Sequence, residues 1–225
     1  MSPTPIRIDI VSDVTCPWCI VGYRQLMDAV EETGANVDVH WHPFELNPNM
    51  PPEGQNLGEH VVEKYGTTKA ESVMNRERLT AIGKDLGFEF GFTDDMRMHN
   101  TFNTHQLLHW ATQQGRGHDL KQAMFTAHFT HTRNLSDNDV LADIAAEIGL
   151  DRDEALDVLT SQRFANDTRS EEHFWVQQGI TGVPAMVFER KYLVTGAQGA
   201  ENYAGIFKQH IHSPLKNRGR MTLLP

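Results

Sequence analysis

Cys16 and Cys19 stand three positions apart and are the two cysteines of the 225-residue chain. A Cys-x-x-Cys pair has three common explanations: half of a structural zinc site, a redox pair, or coincidence. A structural zinc site takes four ligands, usually from a second Cys/His pair at short spacing. No further cysteine is present, and His128 and His131, spaced like one half-site, fall on a predicted helix far along the chain. No metal is therefore expected. The redox reading has a physical mechanism. Cys16 falls where a strand's loop meets the first turn of a helix, and the unpaired N–H groups and dipole there favour an anion, hence a thiolate. Pro17 fits just inside a helix start, where its missing N–H costs nothing. Cys19 lies one turn on, on the buried face. That shielding makes Cys16 the thiol that attacks and Cys19 the thiol that resolves a mixed disulfide. Trp18 covers the pair with apolar surface and adds no ionisable group.

A second candidate element is Thr181-Gly182-Val183-Pro184, directly before an apolar run. A proline there cannot donate to a sheet ladder, and X–Pro bonds are the ones that adopt cis at low cost. A cis Val183–Pro184 bond would turn the Val183 backbone groups outward, able to pair with an extended substrate as an added strand. A trans proline that simply starts the strand is the other reading, and the upstream cysteine pair favours cis. Pro17, Trp18, Val183 and Pro184 are the candidate substrate-binding residues. Asp13 could relay a proton to Cys19 through water, or cap the helix start and bond its loop, the commoner use of Asp in such positions. His99, Asn100 and His105 could line a cleft facing Cys16, or open a helix with surface histidines. His105 and His109 have the i, i+4 spacing of a metal pair but lack an intervening Glu and a third ligand. His40 and His42 read as ordinary exposed residues flanking Trp41.

These residues need elements to hold them. Ile6, Ile8 and Ile10 alternate with Arg7 and Asp9, the period of a strand. A helix follows over 16–32, with Cys19, Tyr23, Leu26 and Val30 on one face and Gly34 as its stop. Val37, Val39 and Trp41 mark a second strand over 36–44, so the chain opens as a parallel strand–helix–strand unit. A Pro- and Asn-rich loop comes next, and then a stretch with little strand signal. Its candidate helices are 57–64, 68–86, 99–114, 120–129, 137–148, 152–159 and 162–178, punctuated by glycines, with N-caps expected from Ser136-Asp137-Asn138-Asp139 and from Asp151. Trp110, Phe125, Phe129 and Trp175 read as the core of this block. Strand signals return at 185–188 and 192–194, a hairpin through Glu189, Arg190 and Lys191, and a helix over 201–211 follows. The tail from Ser213 reads as a loosely held extension. The resulting order is βαβ, a helical block, then ββα. The expected fold is α/β and thioredoxin-like, with a large all-helical domain inserted between strands 2 and 3. The expected division is 1–50 with 179–225, and 51–178.

The formal net charge is −10. An acidic surface argues against nonspecific nucleic-acid binding and against adhesion to anionic membranes. No apolar run is long enough to span a bilayer. The first residues carry neither a basic n-region nor an apolar h-region, and two closely spaced cysteines do not make a secreted disulfide framework, so a cytoplasmic location is expected. No segment marks an oligomer interface.

Val11-Ser12-Asp13-Val14-Thr15-Cys16-Pro17-Trp18-Cys19 resembles the active-site start of the DsbA-like oxidoreductases, in particular their FrnE-like branch. The run from Gly179 to Pro184 is similar to that family's cis-proline segment. His99-Asn100-Thr101-Phe102-Asn103-Thr104-His105 and Gly196-Ala197-Gln198 are similar to FrnE-branch segments. The resemblance implies a nucleophile at Cys16, a resolving thiol at Cys19 and a cis-proline at Pro184. It implies thiol–disulfide exchange with thiol or disulfide protein substrates or glutathione, a redox-active disulfide, and no cofactor beyond glutathione as co-substrate. The same superfamily holds kappa-class glutathione transferases and hydroxychromene-carboxylate isomerases, which carry a serine or lack the second cysteine at this motif. A glutathione-dependent isomerase or transferase is therefore the alternative, and a noncatalytic binding module a third; retention of both cysteines favours redox work.

Overall fold

The computed structural model describes residues 4–212 and 222–223. The chain divides into two compact units, Met1–Phe44 with Glu171–Pro225, and Glu45–Ser170. β1 (Ile6–Ser12), α1 (Pro17–Thr33) and β2 (Val37–Pro43) open the first. Then come β3 (Gln55–Asn56), α2 (Leu57–Tyr65), α3 (Lys69–Asp85), β4 (Arg97–Met98), α4 (Phe102–Gln113), α5 (Gly117–Phe129), α6 (Asn138–Glu147), α7 (Arg152–Thr160) and α8 (Ala165–Gln177). β5 (Ala185–Phe188), β6 (Tyr192–Thr195), α9 (Ala200–His212) and β7 (Thr222–Leu223) complete the first unit. The fold is mixed α/β and thioredoxin-like, with the helical segment inserted in the chain between β2 and β5.

The sheet of the first unit runs β2-β1-β5-β6-β7. β1 and β2 are parallel, from Ile6↔Val37 to Ser12↔Pro43. β5 pairs antiparallel with β1 and β6 antiparallel with β5. The two-residue β7 extends the edge against Tyr192 and Leu193; the rest of the tail expected to be loosely held lies outside the described residues. β1 lies between β2 and β5, with Ile6, Ile8 and Ile10 buried on one face and Arg7, Asp9 and Val11 on the other. Ile8 and Ile10 are fully buried with Phe188, which meets the rings of Tyr203 and Phe207 of α9. The opposite face carries a buried cluster of Val11, Trp175, Ile180, Ala185 and Val187. Trp175 thus belongs to the sheet's core and not to the helical block, a correction to the sequence reading. The helical unit ends at Ser170, short of the expected 178, for the same reason: Glu171 and Trp175 bond and pack against β1 and β2.

α1 stops at Gly34, whose φ of 65° closes the Gly34 N–H onto the Val30 carbonyl, a left-handed cap that a Cβ would disfavour. The β5–β6 turn places Glu189 and Arg190 at φ 54° and 55°. In the helical unit, Leu107, Trp110, Leu120, Met124, Phe125, Leu141 and Leu159 are buried at the core. Thr68 and Glu71 form a reciprocal capping box at α3, and Asp137 and Asp151 cap α6 and α7. The unit is helical except for one short antiparallel pair, β3 with β4.

Candidate active site

β1 delivers the chain into a turn wired by Asp13. The Asp13 carboxylate accepts from the Thr15 N–H at 3.1 Å and the Thr15 hydroxyl at 3.2 Å, and the Asp13 carbonyl accepts the Cys16 N–H at 3.2 Å. Asp13 is fully buried. It holds the loop and does not cap the helix, because Cys16 itself occupies the N-cap position. Cys16 has φ −90° and ψ 111°, Pro17 opens α1, no side chain caps the first turn, and no acidic residue stands in it. The positive end of the helix therefore lies at Cys16, with no acidic residue in the helix's own first turn. The Cys19 N–H donates to the Cys16 carbonyl at 3.0 Å, one turn deeper. Neither cysteine is disulfide-bonded; Cys16 is 4% exposed and Cys19 fully buried. Trp18, between them, is 38% exposed.

The Val183–Pro184 peptide is cis. The Cys16 thiol lies 3.6 Å from the Val183 carbonyl and can donate to it, so residues 167 positions apart meet at one sulfur. Pro184 is buried, and its carbonyl accepts the Gly196 N–H at 2.8 Å. The proline ring rests on Gly22 of α1, where an added Cβ would stand 3.3 Å from Pro184 Cγ, 3.3 Å from Met186 Cε and 3.5 Å from Ala197 Cα. Gly22 lets the helix carrying the cysteines approach the Pro184 segment. Sequence reasoning passed over it, although a glycine on the buried face of an amphipathic helix is the signal for such a close approach. Tyr203 is fully buried and donates to the Gly196 carbonyl at 3.2 Å; burial pushes its phenol up to about 12, with the neighbouring Cys19 adding to the rise.

A charge network lies on the other face of the sheet. His42 places Nε2 2.8 Å from Asp9 Oδ1 and Nδ1 2.6 Å from Glu171 Oε1. Arg7 donates to Asp9 through Nη2 at 2.6 Å. Burial pushes the Asp9 carboxyl up, but hydrogen bonds from His42 and Arg7 and their charges outweigh it and hold the group at about 2. Burial likewise opposes the charged form of His42, and its two carboxylate partners raise it above the ordinary 6.5. His42 is thus a half-buried, doubly bonded residue, 13% exposed at its side chain, and the expectation of an ordinary exposed one is overturned. Register decides this: His42 lies opposite Val11 on the inner side of the strand pair. His40, 36% exposed at its side chain, bonds Asp38.

His99, Asn100 and His105 belong to the helical unit. α4 starts at Phe102, so His99 and Asn100 precede the helix they were expected to begin. The Asn100 side chain accepts the Phe102 N–H at 2.9 Å and donates to the Pro48 carbonyl at 3.2 Å. His99 and His105 are both buried, not surface histidines. The His99 ring meets that of His128 at 6.4 Å between centroids. His128 is fully enclosed and neither of its ring nitrogens has a hydrogen-bond partner; burial, then the charge of His99, pushes it down to about 3. Among the described residues no three His, Cys, Asp or Glu side chains are placed to hold a metal ion, and no helix is long and apolar enough to cross a membrane.

Comparison with known proteins agrees with this arrangement. The chain is 25% identical over 214 residues to YwbO of Bacillus subtilis (strain 168), covering 95% of this chain and 99% of that protein. Its structure is similar to that of a probable DsbA oxidoreductase from Streptomyces coelicolor, with 32% identity, a TM-score of 0.87 and coverage of 95% and 94% of the two chains. It shares its fold with the cytosolic disulfide reductase DsbM from Pseudomonas aeruginosa, at 18% identity, a TM-score of 0.63 and coverage of 92% and 98%. The model of the DSBA-like thioredoxin domain matches residues 7–208. The chain therefore belongs to the DSBA-like thioredoxin domain family.

Proposed function

We propose that the protein is a thiol–disulfide oxidoreductase in which Cys16 is the nucleophile and Cys19 the resolving thiol. One observation carries the reading: Cys16 opens α1 with its sulfur beside the Val183 carbonyl, while Cys19 lies one turn deeper and out of solvent. The Cys16 thiolate attacks a substrate disulfide R–S–S–R′. A bond forms between the Cys16 sulfur and one substrate sulfur, and R′S⁻ leaves and takes up a proton. Cys19 then gives up its proton and attacks the Cys16 sulfur, and the second substrate thiol departs. The substrate gains two electrons and the protein gains a Cys16–Cys19 disulfide. In reverse the same steps oxidise a dithiol.

Val183 and Pro184 flank the attacking sulfur, and the Val183 backbone offers an extended substrate a strand-like partner. Pro17 and Trp18 supply the apolar rim. The electrons reside in the dithiol, so no bound cofactor enters. Regeneration uses a thiol co-substrate of the glutathione type, which fits a reductase or isomerase working in a reducing cytoplasm. Protein disulfides and small disulfides are the substrate classes, and membership of the FrnE-like branch is part of the same proposal.

Two variants test this. Cys16→Ser abolishes disulfide reduction, whereas Cys19→Ser still attacks and accumulates a mixed disulfide on Cys16, seen by mass spectrometry. Reduction by Cys16→Ser at the wild-type rate overturns the proposal. Full turnover by Cys19→Ser without a trapped adduct points instead to glutathione-dependent isomerase or transferase chemistry.

A further inference from the structure

We propose that protonated His42 is a positioning residue that holds α8 against the sheet and thereby sets the Val183 carbonyl beside Cys16. The consequence for catalysis rests on the thiol–disulfide reading above; the coupling itself does not.

Both ring nitrogens of His42 face carboxylate oxygens, Asp9 on β1 and Glu171 on α8. Ionised carboxylates only accept hydrogen bonds, so both nitrogens donate, and only imidazolium has two N–H groups. Arg7 also joins this network by holding Asp9, and it reaches the His40–Asp38 pair through His40 at 3.3 Å. The His42 ring also packs on Trp175 of α8, with centroids 4.6 Å apart. Trp175 leads directly to the site. Its carbonyl accepts the Ile180 N–H at 3.2 Å, it is buried with Ile180, and Val183 packs against the same cluster. The segment that presents Val183 to Cys16 therefore hangs from the part of α8 that His42 fixes.

Loss of the His42 proton leaves one N–H for two carboxylates. Asp9 is 1% exposed and held by Arg7, whereas Glu171 is 30% exposed and can turn to water. The Glu171 bond is the one that opens, loosening α8 where Glu171 meets His42 of β2. Deprotonation thus reaches the Cys16–Val183 contact without any group at the cysteines changing charge.

The test is a heteronuclear NMR titration of the reduced full chain between about pH 5 and pH 9, the range in which histidines change charge, in wild type, Glu171→Gln and His42→Gln. In wild type the amide signals of Ile180, Thr181 and Val183 move with the same midpoint as the His42 ring. In Glu171→Gln both midpoints shift together to lower pH. In His42→Gln the shared movement is lost. The rate of disulfide reduction shows an inflection at the His42 midpoint in wild type that follows it down in Glu171→Gln. A purely structural role would lower the rate without moving an inflection. Amides that stay still while the ring titrates, or a wild-type pH–rate profile in His42→Gln, overturn the proposal. Should His42→Gln fail to fold, the isosteric Glu171→Gln carries the same comparison. Amides that follow the ring in a protein without thiol exchange uphold the coupling and refute the functional reading instead.

Discussion

Asp9→Asn removes one negative charge from a buried network while keeping the side chain's shape. The Asp9 carboxyl falls from the ordinary 3.8 to about 2 in the folded protein. At about 1.4 kcal/mol for each pH unit, that difference makes the ionised form worth on the order of 2 kcal/mol of stability. The pH window follows from the direction of each change. A carboxyl lowered on folding contributes in full above 3.8, and its contribution is lost as pH falls from 3.8 toward about 2. His42, raised on folding, contributes in full below 6.5 and loses its share as pH rises through its folded value. The stability difference between wild type and Asp9→Asn is therefore largest between these limits. It shrinks on both sides, steeply in acid and more gently in base. Urea unfolding followed by circular dichroism at a series of pH values reads this difference directly. A gap that stays flat from neutral pH down to pH 2, or that grows in acid, refutes the assignment of Asp9 as the charged centre of the network.

Three further substitutions test separate features. Gly22→Val overpacks the contact with Pro184 and Met186, costs about 1–3 kcal/mol in urea unfolding, and slows disulfide reduction by moving the helix that carries the cysteines away from Pro184; unchanged stability and rate would show that the close approach is not needed. His128→Leu replaces an enclosed imidazole without hydrogen-bond partners and raises stability by about 1–3 kcal/mol. Because burial holds His128 at about 3 in the fold against an ordinary 6.5, wild type also loses stability relative to this variant as pH falls from 6.5 toward 3, and parallel pH–stability curves would contradict that. Arg190→Gly relieves a non-glycine residue at φ 55° on an exposed turn and raises the unfolding midpoint by an amount worth about 0.5–1 kcal/mol; a lower midpoint would show that the turn is not strained.

Elements whose cause is local were legible in the chain. Alternation at Ile6, Ile8 and Ile10, the glycine stop at Gly34, the capping run from Ser136 to Asp139 and the Asp151 cap act over a few residues, and their elements lie where those signals put them. The helix-opening position of Cys16 belongs to this class, since the loop, Pro17 and the apolar spacing beyond are all local. Assignments that depended on which face of an element meets which partner were not legible. Trp175 lies on a helix continuous with the inserted block, yet its ring packs on the sheet. His42 looks like any strand histidine until Glu171, 129 positions away, comes to its second nitrogen. Asp9 and Arg7 were the available hint, as two charged residues side by side on one face of an interior strand.

The chain by itself determined the thioredoxin-like order of elements and the helix start at the cysteine pair, because periodicity, caps and turns are encoded by neighbours in sequence. Tertiary structure alone decided that the Val183 carbonyl meets the Cys16 sulfur, that Gly22 receives Pro184, and that Asp9 and Glu171 meet at the His42 ring. The Cys16–Val183, Gly22–Pro184 and His42–Glu171 contacts join segments more than a hundred residues apart. Their geometry depends on strand register and on which helix face is buried, and neither is written in the spacing of any single segment.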